Sequence, residues 1–125
     1  MTSVLLVTND KASLSLVAEM LNKNNIKTDW SDSGAAALAM VSDKKFDLVI
    51  TDEKLSDMTG RKLVEKIITI DAMLNCIAIS SLSSDDFHEE FEGLGVLMQL
   101  PKKPDKKDAE KLIEYLNKVL NLTGN

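Results

Sequence analysis

Phe46-Asp47-Leu48-Val49-Ile50-Thr51-Asp52 decides how this chain is read: an apolar run that ends in a carboxylate, with Gly60 eight residues further on. A run of this kind suits a strand covered on both faces, as in a parallel sheet. The carboxylate then lies at the rim formed by the carboxyl ends of the strands, where ligands and chemistry collect in open α/β sheets. Four more apolar runs flank it. Residues 4–8 are continuously apolar up to Val7, residues 26–31 are more polar and suit an edge strand, and residues 76–80 and 96–100 are short and apolar.

Amphipathic segments alternate with these runs. Residues 13–24 carry Leu14, Val17, Ala18 and Leu21 at helical spacing and stop at Asn24-Asn25. Ser33 and Gly34 open a second helix with Ala37, Leu38 and Val41 on one side. Residues 62–70 place Leu63, Val64, Ile67 and Ile68 on one face. Ser83 or Ser84 caps a shorter helix over 84–91, ahead of the Asp85-Asp86 pair. Residues 108–120 show the clearest helical pattern, through Ala109, Leu112, Ile113, Leu116, Val119 and Leu120. Strict β-α alternation implies parallel strands, right-handed crossovers and helices on both faces. The fold class expected is α/β, a three-layer α/β/α sandwich.

Bulk properties narrow the function classes. A chain of 125 residues, 44% hydrophobic and 28% charged, suits one domain over residues 1–125. A formal net charge of −5 argues against a nucleic-acid surface. No apolar stretch approaches the ~20 residues a membrane helix needs. The chain enters its first strand without a basic segment or cleavage site, so the cytoplasm is the compartment expected. Cys76 is the only cysteine, which excludes an intramolecular disulfide, and its apolar neighbours read as core. Asn121-Leu122-Thr123 matches a glycosylation triplet, a weak signal without a secretion segment. There is no internal repeat or linker, so the chain reads as a stand-alone domain or one cut from a longer protein.

Three strand ends and one glycine then fall into a known order. Asp52 ends the third strand, Asp57-Met58-Thr59-Gly60 follows it, Ser80 ends the fourth and Lys103-Pro104 ends the fifth. This arrangement resembles a response-regulator receiver domain over nearly the whole chain. The resemblance implies a flavodoxin-like, five-stranded parallel sheet in the order 2-1-3-4-5. It implies transfer of a phosphoryl group from a kinase phosphohistidine to Asp52, with Mg²⁺ as cofactor. A carboxylate can accept a phosphoryl group, and transfer depends on positioning and on neutralising the phosphoryl oxygens. By the resemblance, Asp52 is the acceptor, Ser80 the hydroxyl and Lys103 the ammonium. Lys102 competes: counting from Gly95 favours it, whereas the Lys-Pro pair and the spacing to the last helix favour Lys103, which is preferred. The family often has a cis bond before this proline, so a cis Lys103–Pro104 bond is expected on the resemblance alone.

The chain also departs from the pattern. The first strand of a receiver normally ends in two acidic residues that hold Mg²⁺, but here Thr8 and Asn9 follow Val7, with Asp10 one place later. Mg²⁺ favours charged oxygen ligands in octahedral geometry. The metal-binding set left is Asn9, Asp10, Asp52 and the backbone carbonyl of Lys54, so Mg²⁺ is expected to be weak or absent. The Lys54 ammonium could replace part of the metal's charge. The aromatic residue usual in the fifth strand is Gln99, or Leu100 in the alternative register, and Ser56 stands where the loop usually has a proline. Tyr115 reads as a partly exposed residue of the last helix, Trp30 as packed under an adjacent helix, and His88, among acids, as a solvated surface residue.

Two readings of function follow. One is a receiver domain that accepts a phosphoryl group on Asp52 and signals through its fourth helix, fifth strand and fifth helix. The other is a pseudo-receiver, an interaction domain independent of phosphorylation. An enzyme in the ordinary sense is not expected, since no nucleophile-base pair is visible. Five glycines and no phosphate loop argue against an unrelated nucleotide-binding domain. The partners implied are a sensor histidine kinase or phosphotransfer protein, an output domain or partner protein, and a second copy of the chain; nucleic acid and membrane are not among them.

Overall fold

The computed structural model describes residues 2–120, without the side chains of residues 119 and 120. Its strands are β1 (Ser3–Val7), β2 (Lys27–Ser31), β3 (Leu48–Thr51), β4 (Asn75–Ile79) and β5 (Val96–Leu100). They form one parallel sheet in the order β2-β1-β3-β4-β5, the order that the resemblance implies. The helices are α1 (Ser15–Lys23), α2 (Gly34–Asp43), α3 (Gly60–Ile70), α4 (Ser84–Glu90) and α5 (Lys106–Tyr115).

The period-2 alternation of the strands divides the core. Val4, Leu6, Leu48, Ile50, Ile77 and Ile79 face one layer, where Leu14, Val17 and Leu21 meet Ala109, Leu112 and Leu116. Leu5, Val7, Val49 and Cys76 face the other, under Ala37, Val41, Leu63, Val64 and Ile67. The sheet thus lies between α1 and α5 on one side and α2 and α3 on the other. Among the described residues no helix is long and apolar enough to cross a membrane.

Helix starts follow their caps. Ser33, Thr59 and Ser83 each accept a hydrogen bond from the backbone N–H three residues on. Asp105 and Asp108 form a reciprocal capping box, so α5 starts at Lys106, ahead of the apolar pattern. Two segments are less regular than their apolar spacing suggests. A 3₁₀ turn, Lys11–Leu14, leads into α1, and α5 passes into a π-helical turn, Leu116–Leu120. Val119 and Leu120, expected to extend the apolar face of α5, have side chains outside the described residues, as has the Asn121 triplet.

The β4–β5 ladder holds one irregularity. Cys76 pairs with Val96, but Ala78 pairs with Gln99, so β5 takes up one residue more than β4 over this interval.

Cys76 is 3% exposed and its thiol is pushed up to about 12 by burial. The thiolate is the reactive form, so native Cys76 should react about a thousandfold more slowly than an open thiol at pH 8. Labelling with a thiol reagent should follow unfolding in urea; prompt, complete labelling of the native chain would contradict this burial.

Candidate functional site

The site is assembled at the carboxyl rim of the sheet. Asp52 follows β3 directly, and its N–H donates to the Val7 carbonyl at 2.9 Å, fixing it beside the end of β1. Its side chain is half-buried. Oδ1 accepts the Glu53 N–H at 2.7 Å, and Oδ2 accepts the Thr8 hydroxyl at 2.9 Å. Thr8 is 2% exposed, and its hydroxyl also accepts the Asp10 N–H. Its other acceptor, the Asp10 carbonyl, is more distant at 3.3 Å.

Gly60 brings α3 against the backbone of Asp52. Its N–H donates to the Glu53 carbonyl at 2.9 Å, and a Cβ there would lie 2.3 Å from the Asp52 carbonyl oxygen. The residues before it tie the same loop to α2. Asp57 accepts the N–H groups of Gly34 and Ala35 at 2.8 and 2.9 Å, and Met58 lies over Gly34. The bonds from Ala35 and then Gly34 hold the Asp57 carboxyl below its ordinary value.

Glu53 forms the densest part of the site. Its carboxylate accepts the Ser80 hydroxyl at 3.3 Å, the Ser81 N–H at 3.1 Å and the Ser81 hydroxyl at 3.2 Å. The Lys102 ammonium stands 3.9 Å away. Partial burial acts to raise the pKa of Glu53. The bonds from Ser81 and Ser80, with the charge of Lys102, outweigh it and hold the carboxyl below its ordinary value. Ser80 Oγ accepts the Leu82 N–H at 3.1 Å. The Gln99 amide, reaching over from β5, donates to the Ser80 and Leu82 carbonyls at 3.3 and 2.8 Å.

Of the expected site residues, Asp52, Ser80 and Lys102 make side-chain contacts at the rim, in two separate groups. Thr8 and Asp52 meet directly, while Ser80 and Lys102 meet on Glu53, which the sequence reading did not single out. Lys103 is exposed, has a φ of 52°, and makes no hydrogen bond or ion pair among the described residues. No cis peptide bond occurs among them, so the Lys103–Pro104 bond is trans, unlike the expectation. The amide orientation of Asn9 that gives both ends a partner, with oxygen and nitrogen exchanged, has the nitrogen donating to the Asp32 carbonyl at 2.6 Å and the oxygen accepting the Ser56 N–H at 3.2 Å. Asp10 is exposed and bonds Thr8 and Ser13 through its main chain. Lys54 is exposed and pairs with Thr59 in a backbone bridge. Among the described residues, no three of His, Cys, Asp and Glu cluster as a metal site.

The other residues singled out pack as read. His88 is exposed with its ring against Phe87, Tyr115 donates to the Leu97 carbonyl at 3.3 Å, and Trp30 lies half-buried under the Lys11 ammonium. Leu100 is in the core, which leaves Gln99 as the polar residue of β5 at the rim.

The sequence model of the response regulator receiver domain matches residues 4–116. The chain belongs to this family. Over its full length it is 26% identical to sporulation initiation phosphotransferase F of Bacillus subtilis, covering 99% of that protein. It is 27% identical over 117 residues to the transcriptional regulatory protein ZraR of Salmonella typhimurium, where it spans 94% of this chain and only 26% of that protein. Among solved structures, a CheY-like receiver domain protein from Methanospirillum hungatei superposes with a TM-score of 0.83 at 21% identity, over 99% of this chain and 97% of that one. The chemotaxis response regulator CheY4 of Vibrio cholerae gives 0.82 at 20% identity, over 93% and 98%. At such identities the structures establish the fold. Receiver domains are signalling domains of two-component systems that interact with histidine kinases or phosphotransfer proteins, and they generally bind Mg²⁺ at an acidic pocket.

Proposed function

We propose that this receiver domain signals without Mg²⁺-dependent phosphorylation, as a protein-protein interaction domain of a cytoplasmic two-component system. The observation that carries the reading is the neutral hydroxyl of Thr8 on Asp52 Oδ2, 2.9 Å away, at the end of β1. Mg²⁺ needs charged oxygens in near-ideal octahedral geometry. The donors at this rim fit it poorly: Thr8 is neutral and already bonded to Asp52, both ends of the Asn9 amide are engaged, and Asp10 is exposed. Asp52 is left as the one carboxylate of the expected set that faces Thr8, so a divalent ion would lack the charge that normally holds it. Phosphoryl transfer to Asp52 then lacks the divalent cation that would neutralise the incoming oxygens. Output in this reading depends on the face built by α4, β5 and α5, and on a partner that binds it.

The second reading, phosphorylation of Asp52, is favoured by one observation. Asp52 is only half-buried, and the Ser80 hydroxyl and the lysines after β5 lie at neighbouring strand ends. Intact mass spectrometry after incubation with acetyl phosphate or phosphoramidate and Mg²⁺ separates the two. The expected spectrum of the parent chain matches that of Asp52→Asn, with no phosphate adduct; an adduct present in the parent and lost in Asp52→Asn overturns the proposal.

A further inference from the structure

Glu53 gathers donors from the ends of both β4 and β5. One hydroxyl from Ser80, one backbone N–H and one hydroxyl from Ser81, and the ammonium of Lys102 converge on its two oxygens. A mixed set of hydroxyl, backbone N–H and ammonium is what an oxyanion recruits. A glutamate in a rim loop has no need of such a set, because water would solvate it at no cost in side-chain order. Here the side chain is only 24% exposed, and its bonds more than offset its partial burial.

The contacts continue past Glu53. Ser80 accepts the Leu82 N–H, and Gln99 donates to the carbonyls of Ser80 and Leu82. A chain of hydrogen bonds thus runs from Glu53, through the loop after β4, to β5 and the groove between β5 and α4. That groove is lined by Ser84, Phe87, Val96, Met98 and Gln99.

We infer that Glu53 is an intramolecular occupant of an oxyanion seat formed by Ser80 Oγ, the Ser81 N–H and Lys102 Nζ, and that it holds the loop after β4 in its anion-engaged arrangement without a phosphoryl group. This rests on the reading above that the domain works without phosphorylation. The carboxylate supplies in place the negative charge that a phosphoryl group would add. It also excludes a second anion, since two like charges about 4 Å apart repel. The α4–β5 face is therefore held in one state, and its partner meets a preset surface.

The test is ¹⁵N–¹H spectroscopy of the full chain and of Glu53→Ala and Glu53→Gln, with inorganic phosphate as the probe and with neither phosphodonor nor divalent cation. In Glu53→Ala the Ser81 amide proton should move upfield, the Leu82 amide and Gln99 side-chain signals should shift, and phosphate should restore the Ser81 position saturably. Phosphate should bind this variant about tenfold or more tighter than the parent, the change expected for one charge-assisted hydrogen-bond set released. Glu53→Gln keeps the side-chain volume, so its Ser81 shift reports the charge alone even where alanine unfolds the loop. Unmoved Ser81, Leu82 and Gln99 signals in both variants, or equally tight phosphate binding by the parent, would overturn the inference. Because no phosphodonor is present, an Asp52 adduct found in the mass experiment would end the phosphorylation-independent reading while this result still decides on Glu53.

Discussion

Replacing Thr8 and Asn9 together by aspartate should create a divalent-cation site at the rim of the sheet and make stability depend on Mg²⁺. Thr8 lies against Asp52 Oδ2, so an aspartate at position 8 would face the Asp52 carboxylate at close range. Two unit charges 4 Å apart at an effective dielectric of about 20 interact by roughly 4 kcal/mol. Without a cation the double variant should lose about 2–4 kcal/mol, somewhat less than that limit because the rim is partly hydrated. Mg²⁺ at about a hundred times its dissociation constant would return about 2.7 kcal/mol. The parent chain, with its neutral hydroxyl and engaged amide, should not respond. Thermal unfolding in EDTA and in millimolar MgCl₂ reads both arms. An unresponsive double variant would sink the placement of the metal site, and an equal response in the parent would sink the proposal of a weak one.

Gly60→Ala should destabilise the fold by about 3 kcal/mol, at the upper end of overpacking costs. The added methyl would stand 2.3 Å from the Asp52 carbonyl oxygen and 3.3 Å from its carbon. Both obstacles are backbone, so no side-chain rotation relieves the contact. Either α3 moves away from the sheet and loses the Gly60 N–H bond to the Glu53 carbonyl, or Asp52 and Glu53 shift together. A chain of this size would melt roughly 10 °C lower. Urea unfolding followed by Trp30 fluorescence measures the loss. A change below about 0.5 kcal/mol, the scale of an ordinary surface substitution, would show that the loop yields and that the close approach is not a constraint.

The strands and the main helices were readable because burial imposes a period on the sequence, two in a strand and 3.6 in a helix. Val4, Leu6, Leu48 and Ile50 alternate with Leu5, Val7 and Val49 on opposite faces in the structure, as a doubly covered sheet requires. Asp52 and Gly60 were readable for the same reason, since each follows from where β3 ends. Glu53 was not. Its partners are 27, 28 and 49 residues away, and a single carboxylate one place after Asp52 carries no local pattern. The pair Ser80-Ser81 was the available signal, because two successive donors at a strand end call for an acceptor. Asp57 escaped notice as a staple to α2 because Gly34 and Ala35 lie more than twenty residues earlier. The two counts for the fifth-strand lysine differ by one residue, and the ladder explains why. The extra residue of β5 lies between Val96 and Gln99, so counting forward from Gly95 and backward from α5 gives different answers. The structure brings the Lys102 ammonium to Glu53 and leaves Lys103 exposed.

The order β2-β1-β3-β4-β5 also sets a timetable for synthesis. β1 pairs with β3 through Val4 and Leu48, so the central strand of the amino-terminal half waits 44 residues for one of its two neighbours. At about 5–20 residues per second, that neighbour emerges from the ribosome roughly 2–9 s later. During this interval β1 presents an unpaired edge and an apolar face, covered at most by α1, β2 and α2. No hairpin shortens the wait, because every ladder is parallel and each closure must span a helix. The chain that carries the signalling site last at its rim is therefore most exposed to aggregation first at its amino terminus.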